Sequence, residues 1–126
     1  MNTDSDINKL TELVIGCAYR VGGALGSGFL EKVYENALAL ELRKGGITVD
    51  QQFAMRVMYS GEVVGDYIAD LAVERRLIVE IKSVKRLEPI HVAQCLNYLK
   101  ATNLRLCLLI NFGSSSVEVK RVINGV

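Results

Sequence analysis

Three charged residues lie within short apolar segments of the sequence, where strand-forming residues otherwise predominate. The segments belong to YIADLAVERRLIVEIKSV, residues 67–84, and the charged residues are Asp70, Glu80 and Lys82. Apolar runs on both sides of a charged stretch predict a β-hairpin. Strands disfavour Asp, and to a lesser degree Glu and Lys. We therefore ask what chemistry would require these three charges in a hairpin.

A three-residue loop at 74–76 decides which side chains of this hairpin meet. With that loop, Asp70 lies opposite Glu80, and strand alternation places Glu80 and Lys82 on the same face. A two-residue loop would instead place Asp70 opposite Val79 and separate the charges. The other face is expected to be apolar core, formed by Tyr67, Ala69, Leu71, Val73, Leu77, Val79 and Ile81.

Two opposed carboxylates beside an amine are suited to phosphodiester hydrolysis. Like charges opposed across a strand pair cost roughly 0.2–1 kcal/mol, and a divalent cation between Asp70 and Glu80 would relieve that repulsion. Mg²⁺ binds one or two carboxylates while keeping several waters. Lys82 would then bind a phosphate or orient an attacking water. The residues alone leave an alternative open, which is a polar hairpin face exposed to solvent.

The helices that position this hairpin are predicted from the spacing of apolar residues, and their ends from the positions of glycine and proline. Apolar residues at helical spacing predict a first helix over about 7–25, interrupted by the glycine-rich stretch 22–28. A second helix is expected over 29–44, ended by Gly45 and Gly46. A third is expected over 89–101, with a proline as its first residue.

The remaining segments have strand character. Residues 47–73, punctuated by Ser60-Gly61 and Gly65, predict three strands, and the segment from Leu77 predicts a fourth. After the third helix, LRLCLLINF is nearly continuously apolar, which is typical of a strand covered on both faces, and VEVKRVI alternates. The predicted order is α-α-β-β-β-β-α-β-β. This order predicts an α/β fold in which helices flank a mixed central sheet.

Chain length, apolar runs, cysteine content and net charge limit which classes of protein this sequence can belong to. The 126 residues suit a single domain spanning 1–126, and no apolar run is long enough to span a membrane. The polar, acidic first residues do not form a signal peptide, so a cytoplasmic location is expected. Cys17, Cys95 and Cys107 lie among apolar neighbours and are expected to be buried free thiols. Proteins that bind nucleic acid through charge are usually clearly basic, whereas the net charge here is only +1. Any binding of nucleic acid would therefore depend on local basic groups.

The hairpin, together with motifs before and after it, resembles a known group of proteins. D-x9-E-x-K, residues 70–82, resembles the core motif of the PD-(D/E)XK nuclease superfamily. GFLEKVY contains Gly28, Glu31 and Tyr34, and resembles the signature of the GxxExxY proteins, a branch of that superfamily. The resemblance continues through HVAQCLNYLKAT and LRLCLLINFG and covers nearly the whole chain.

This resemblance implies a restriction-endonuclease-like core and a set of site residues. Asp70 and Glu80 would be metal ligands for Mg²⁺ or Mn²⁺, and Lys82 would be the catalytic lysine. Glu31 would match the additional acidic residue that many members bring to the metal, and Gln94 a polar residue that lines the site. One departure is that members often carry His or Asn in the helix before the glycine turn, where this chain has Gly22-Gly23-Ala24.

Each supporting residue also has a simpler interpretation. Glu31 would equally suit a solvated helix face or the helix dipole. Tyr34 would either bridge the core and the site through its hydroxyl, without binding the metal itself, or simply pack. Gln94 would bind a water or phosphate, or cap a backbone group. Lys85 and Arg86 follow the catalytic strand and would contact a nucleic-acid backbone, or form an exposed turn.

The sequence thus predicts a metal-dependent nuclease that hydrolyses phosphodiester bonds, with DNA as the expected substrate and water as the nucleophile. The alternative is a catalytically silent nuclease-fold module that binds nucleic acid or another protein, which the near-neutral charge favours. A third interpretation is a structural protein whose hairpin face is solvated. Because a chain of this size has little surface for reading sequence, a homodimer or a further protein partner is also expected. No membrane association is expected.

Overall fold

A computed structural model describes residues 3–125 and shows an α/β fold. Its helices are α1 (Thr3–Leu25), α2 (Glu31–Lys44) and α3 (Pro89–Thr102). Its strands are β1 (Val49–Tyr59), β2 (Glu62–Val73), β3 (Leu77–Lys82), β4 (Leu106–Asn111) and β5 (Glu118–Ile123). They form one sheet in the order β1-β2-β3-β4-β5, in which only β3 and β4 are parallel. Within the described residues, no helix is long and apolar enough to cross a membrane.

Helix α3 connects the two parallel strands and therefore runs antiparallel to both. It begins with Pro89 and a capping box, in which the side chains of Glu88 and His91 each accept a hydrogen bond from the other's backbone N–H. It ends at Asn103, which adopts a left-handed conformation (φ 59°). The N-terminus of α3 consequently lies near the carboxyl end of β3, where the charged residues are.

The inner part of the sheet is covered on both faces. Helices α1 and α2 pack on one face, where Leu71, Val79 and Leu108 belong to one hydrophobic cluster. Helix α3 packs on the other, with Ile78 and Leu109 in a second cluster. Every residue of β4 is buried, which confirms the prediction of a doubly covered strand. A polar residue on the inner strands is therefore covered by a helix on either face.

The predicted hairpin loop is confirmed, whereas the predicted number of strands is wrong. Val73 pairs with Leu77, so the loop is the three residues 74–76. Three strands, not four, lie between α2 and α3, because Gly65 does not interrupt β2. Gly65 pairs with Val57, and a bulge directly after Val57 absorbs the irregularity while both strands continue.

Element boundaries differ from the predicted ones by a few residues at helix starts. Helix α1 begins at Thr3 rather than at about residue 7, and α2 begins at Glu31 rather than at Phe29. The later start of α2 has a physical reason. The backbone N–H of Phe29 donates to the hydroxyl of Tyr34 (3.2 Å), which fixes this residue in the preceding loop.

Asn111, at the end of β4, fixes the segment that follows β3. Its side chain is fully buried and holds the backbone of Val84 at both groups, accepting from N–H (3.0 Å) and donating to C=O (2.9 Å). It also accepts from the N–H of Gly113 (2.9 Å) and donates to Glu118 (2.8 Å). This amide positions the start of the loop that carries Lys85.

Replacing Asn111 with Ala should destabilise the protein because it leaves partly buried backbone groups of Val84 and Gly113 without partners. We expect the free energy of unfolding to fall by roughly 2–3 kcal/mol, measured by urea denaturation. Asn97→Ala, at an exposed position of α3, is the matched control and should stay within about 0.5 kcal/mol of wild type. Equal stability of Asn111→Ala and the control would contradict this role.

Candidate active site

Strands β2 and β3 cease to pair at the charged residues. Their ladder of backbone hydrogen bonds ends at the pair Leu71 and Val79. Beyond it, the N–H of Ile81 donates to Oδ2 of Asp70 (2.7 Å), and the N–H of Asp70 donates to Oε1 of Glu80 (3.2 Å). Each carboxylate therefore replaces a ladder partner on the opposite strand. The two acidic groups lie in the gap between the strands, as the predicted register required.

Strand β1 is distorted at the position opposite Asp70. Gln52 has a positive φ of 53°, while its neighbours Gln51 and Phe53 pair regularly with β2. A left-handed conformation at a residue other than glycine costs on the order of 1–3 kcal/mol. In a regular strand, consecutive side chains point to opposite faces. Here Gln51 and Gln52 both donate to Glu35 (2.8 Å each), and the distortion makes that possible.

Glu35 is the carboxylate that α2 contributes to this region. The residue is only 3% exposed, and it also accepts from Lys32 (3.1 Å). Burial is the main cause that raises the pKa of Asp70, and the charge of Glu35 raises it further. Sequence analysis did not select Glu35. The available signal was helical spacing, since Glu35 precedes Leu38 and Leu42 on the buried stripe of α2.

Glu80 is covered by α3 rather than by solvent. The residue is 4% exposed, and its Oε2 accepts a hydrogen bond from the hydroxyl of Tyr98 (3.1 Å). The same oxygen lies 3.6 Å from Nζ of Lys82, whose side chain is 16% exposed. This face of the hairpin is therefore not an open polar surface. Asp70 and Lys82, both partly exposed, are the accessible members of the cluster.

The acidic groups perturb one another. Burial, followed by the charge of Asp70, raises the pKa of Glu80 to about 7. Burial also raises the pKa of Asp70, against the lowering effect of the Ile81 N–H. Tyr98 has a raised pKa, first because of burial and then because of Glu80, so its hydroxyl remains protonated and donates. The cluster carries more negative charge than Lys82 neutralises, a condition that favours a bound cation.

The donor set fits a hard divalent cation only in part. No group of three or more His, Cys, Asp or Glu side chains in residues 6–125 is arranged to hold a metal ion. Asp70 and Glu80 supply two carboxylates, and Mg²⁺ commonly binds through one or two carboxylates plus waters and substrate phosphates. The site therefore suits Mg²⁺ or Mn²⁺ with water and substrate oxygens as the remaining ligands.

Glu31 and Tyr34 form no hydrogen bond or ion pair with Asp70 or Glu80. Glu31 is exposed at the first position of α2 and makes no hydrogen bond or ion pair with any residue that the structure describes. The hydroxyl of Tyr34 donates to the carbonyl of Gly26, and the ring stacks on Phe112 with centroids 4.5 Å apart. Tyr34 thus anchors the loop before α2. Gly28 in that loop has φ 115°, which side chains rarely permit.

Gln94 lies one helical turn before Tyr98 on α3. Because α3 runs antiparallel to β3, a step from Tyr98 to Gln94 goes in the same direction as a step from Glu80 to Lys82. A helical turn rises about 5.4 Å, and two strand residues rise about 6.6 Å. This placement brings half-buried Gln94 to the level of Lys82. Lys85 lies just beyond it, exposed in the loop after β3 together with Arg86.

The chain is similar to known proteins both in sequence and in fold. The sequence profile of the PD-(D/E)XK nuclease superfamily matches residues 8–122. The chain belongs to the PD-(D/E)XK nuclease superfamily. Asp70, Glu80 and Lys82, in the pattern D-x9-E-x-K, lie within the matched residues. The residue before Asp70 is Ala69 and not proline.

A solved structure shows the same fold. The crystal structure of SSO0001 superposes with a TM-score of 0.59 and 16% sequence identity. The match covers 94% of this chain but 59% of that protein, so the chain spans less than two thirds of its length. No curated protein matches the sequence at a significant level. The structural match, with the mixed five-stranded sheet, confirms the predicted restriction-endonuclease-like fold.

The distortion around Asp70 also overturns one prediction about the core. Ala69 was expected on the same face as Leu71, but it packs with the α3 cluster that contains Ala72. Tyr67 is 38% exposed rather than part of the core, and its ring contacts that of Tyr98. Strand alternation fails because β2 leaves β3 at Asp70. Asp70 therefore lies in an irregular segment of β2.

The raised pKa of Glu80 predicts a pH-dependent cost to stability. The folded-state pKa of about 7 exceeds the unfolded value of 4.5. The protonated carboxyl therefore contributes stability that is fully present below about pH 4.5 and is lost as pH rises through about 7, where the ionised carboxylate becomes a cost. With EDTA present, Glu80→Gln should match wild type at pH 4.5 and exceed its free energy of unfolding at pH 8 by on the order of 1–3 kcal/mol.

Urea denaturation at both pH values measures this difference. Glu62→Gln, at an exposed position on β2, is the matched control and should show no such divergence from wild type. If Glu80→Gln is less stable than wild type at pH 8, the carboxylate is not held at an energetic cost in the folded protein.

Proposed function

We propose that this chain is a divalent-metal-dependent nuclease that hydrolyses phosphodiester bonds, with DNA as its expected substrate. The observation that carries the proposal is the gap between β2 and β3. There Asp70 and Glu80 replace ladder hydrogen bonds, and Lys82 lies 3.6 Å from Glu80. Burial, followed by the charge of Asp70, raises the pKa of Glu80. A pair of carboxylates held this close destabilises the fold and favours a bound cation. Membership of the PD-(D/E)XK superfamily supports the same reaction class.

Each residue has a distinct role in this proposal. Asp70 and Glu80 would hold Mg²⁺ or Mn²⁺, which when bound supplies Lewis-acid polarisation of phosphoryl oxygen and a more acidic water. Lys82 would donate from Nζ to a phosphate oxygen as negative charge develops. Tyr98 keeps the Glu80 carboxylate in place through its hydrogen bond. Gln94 would orient the attacking water or the phosphate.

Helix α2 carries the carboxylates of Glu31 and Glu35, and we assign them different roles. Glu31 is the acid that the family signature implies, as a metal ligand or as a group that binds the metal through water. Glu35, one turn further, is the acid whose charge acts on Asp70. We infer that Glu35 shapes the electrostatic field of the site and that Glu31 approaches it only with metal and substrate bound.

The finer assignments rest on the same region. We also propose that the chain belongs to the GxxExxY branch, because Gly28 adopts a conformation suited to glycine and Tyr34 anchors that loop. Lys85 and Arg86 are proposed to contact the nucleic-acid backbone, since their loop directly follows Lys82. A cytoplasmic location and a homodimer or protein partner remain proposals drawn from the sequence.

A second candidate function is a nuclease-fold module that binds nucleic acid or protein without turnover. It is favoured by one observation: no trio of metal-ligating side chains is pre-assembled among the described residues. The net charge of +1 also provides little general attraction for nucleic acid. The two candidates differ in whether bond cleavage follows metal binding.

Cleavage of end-labelled single- and double-stranded DNA and RNA, with Mg²⁺ or Mn²⁺, tests the nuclease. Asp70→Asn and Lys82→Ala should each reduce the cleavage rate by about 10²-fold or more, because each removes a charge that acts on the reacting phosphate. Asp66→Asn and Lys9→Ala replace exposed residues outside the cluster and should cleave at the wild-type rate. EDTA should abolish cleavage in all active variants.

The same assay separates the α2 carboxylates. Glu31→Gln should raise the metal concentration needed for half-maximal cleavage, while Glu35→Gln should also change the pH at which cleavage begins. Cleavage that survives in Asp70→Asn at the wild-type rate would contradict the proposed site. Metal binding without cleavage of any of the four substrates would favour the silent module.

A further inference from the structure

The largest of the cavities described lies at the other end of the sheet from the carboxylates. It has a volume of about 570 Å³ and is bounded by the start of α1, the β2–β3 loop, the α3–β4 loop and β5. Arg76, which lines it, directly precedes β3 and lies four residues before Glu80. At a strand rise of about 3.3 Å per residue, the two backbones are about 13 Å apart. The cavity is therefore separate from the proposed active site.

Three arginines line this cavity, and no acidic residue is among the lining residues that the structure describes. The three arginines are Arg76, Arg105 and Arg121. Parallel pairing of β3 with β4 brings the first two together, since Leu77 pairs with Leu106. Arg76 and Arg121 make no hydrogen bond or ion pair with another side chain among the described residues. Their planar guanidinium groups can bind phosphate through two parallel hydrogen bonds.

The other walls of the cavity are apolar or carry amides. Ile7, Leu104 and Ile123 present aliphatic surface, and Ile123 is 57% exposed although it is a large hydrophobic residue. Asn8 and Asn103 each provide both a hydrogen-bond donor and an acceptor. A ligand with an anionic end and a flat ring with polar edges would satisfy all of these groups. The volume lies within the usual range of about 300–1,000 Å³ for small-molecule sites.

We propose that this cavity binds a nucleotide, with its phosphate on Arg76 and Arg121 and its base against Ile7, Leu104 and Ile123. The proposal goes beyond the nuclease function because it uses none of the residues of the carboxylate cluster. A free mononucleotide and the terminal nucleotide of a nucleic-acid strand carry the same chemistry. The experiment below separates these two sources.

Isothermal titration calorimetry with EDTA present tests the cavity without hydrolysis. The probes are the four ribonucleoside 5′-monophosphates, the four unphosphorylated nucleosides, inorganic phosphate, and a 5′-phosphorylated ten-nucleotide DNA strand. At least one monophosphate should bind wild type at least tenfold more tightly than its nucleoside. Arg76→Ala and Arg121→Ala should each weaken that binding at least tenfold, since each removes a charge-assisted contact.

Two matched variants make the result specific to the cavity. Arg56→Ala removes an exposed arginine elsewhere on the sheet and should change the affinity less than twofold. Asp70→Asn alters the carboxylate cluster and should likewise leave nucleotide binding unchanged. Because nucleotide binding is read without metal or turnover, its outcome is independent of whether the nuclease proposal holds.

Other results of the same titrations would either support or overturn the proposed nucleotide site. A DNA strand that binds more tightly than every monophosphate, with the same dependence on Arg76 and Arg121, supports the cavity and identifies strand ends as the source. The proposal is overturned if no nucleotide probe binds at millimolar concentration. It is equally overturned if Arg56→Ala weakens binding as much as Arg76→Ala, or if Asp70→Asn abolishes it.

Discussion

The exchange of two ladder hydrogen bonds for two carboxylate–amide hydrogen bonds is the feature on which the rest of the site depends. Where β2 and β3 part, Asp70 accepts from the backbone of β3 and Glu80 accepts from the backbone of β2. This arrangement satisfies the backbone groups that the missing ladder would otherwise leave unpaired. It also fixes both carboxylates at short range, at the cost of concentrating negative charge between two covered faces of the sheet.

That concentration explains the surrounding structure. Helix α3 supplies Tyr98 as a neutral donor to Glu80, and Lys82 supplies the nearest positive charge. On the opposite face, α2 contributes Glu35, whose carboxylate accepts hydrogen bonds from the side chains of Gln51 and Gln52. Both glutamines reach Glu35 because β1 is distorted at Gln52. A protein that needed only stability would gain by replacing such a cluster with apolar side chains. The chain instead keeps several acidic side chains and the strained backbone of Gln52 in one region, which is typical of functional sites.

Much of this arrangement follows from the sequence, and the remainder has identifiable physical causes. The hairpin loop and register were predictable because strand alternation and loop length leave few choices, and the apolar run of β4 required a covered strand. The packing of Ala69 and the joint reach of two glutamines were not predictable, since both depend on a local break in alternation. Glu35 was missed because the family signature draws attention to Glu31. Its place on the buried stripe of α2 was the stronger indication.

The central claim is that the pair Asp70 and Glu80 forms a cation site. Calorimetric titration of Mn²⁺ into the metal-free protein at pH 8, well above the pKa of Glu80 of about 7, measures it directly, with Asp66→Asn as the matched control for Asp70→Asn. The account predicts saturable binding in wild type and control, its loss in Asp70→Asn, and weaker binding with proton release at pH 6. Binding that is absent at pH 8, or that Asp70→Asn leaves intact, would contradict the account.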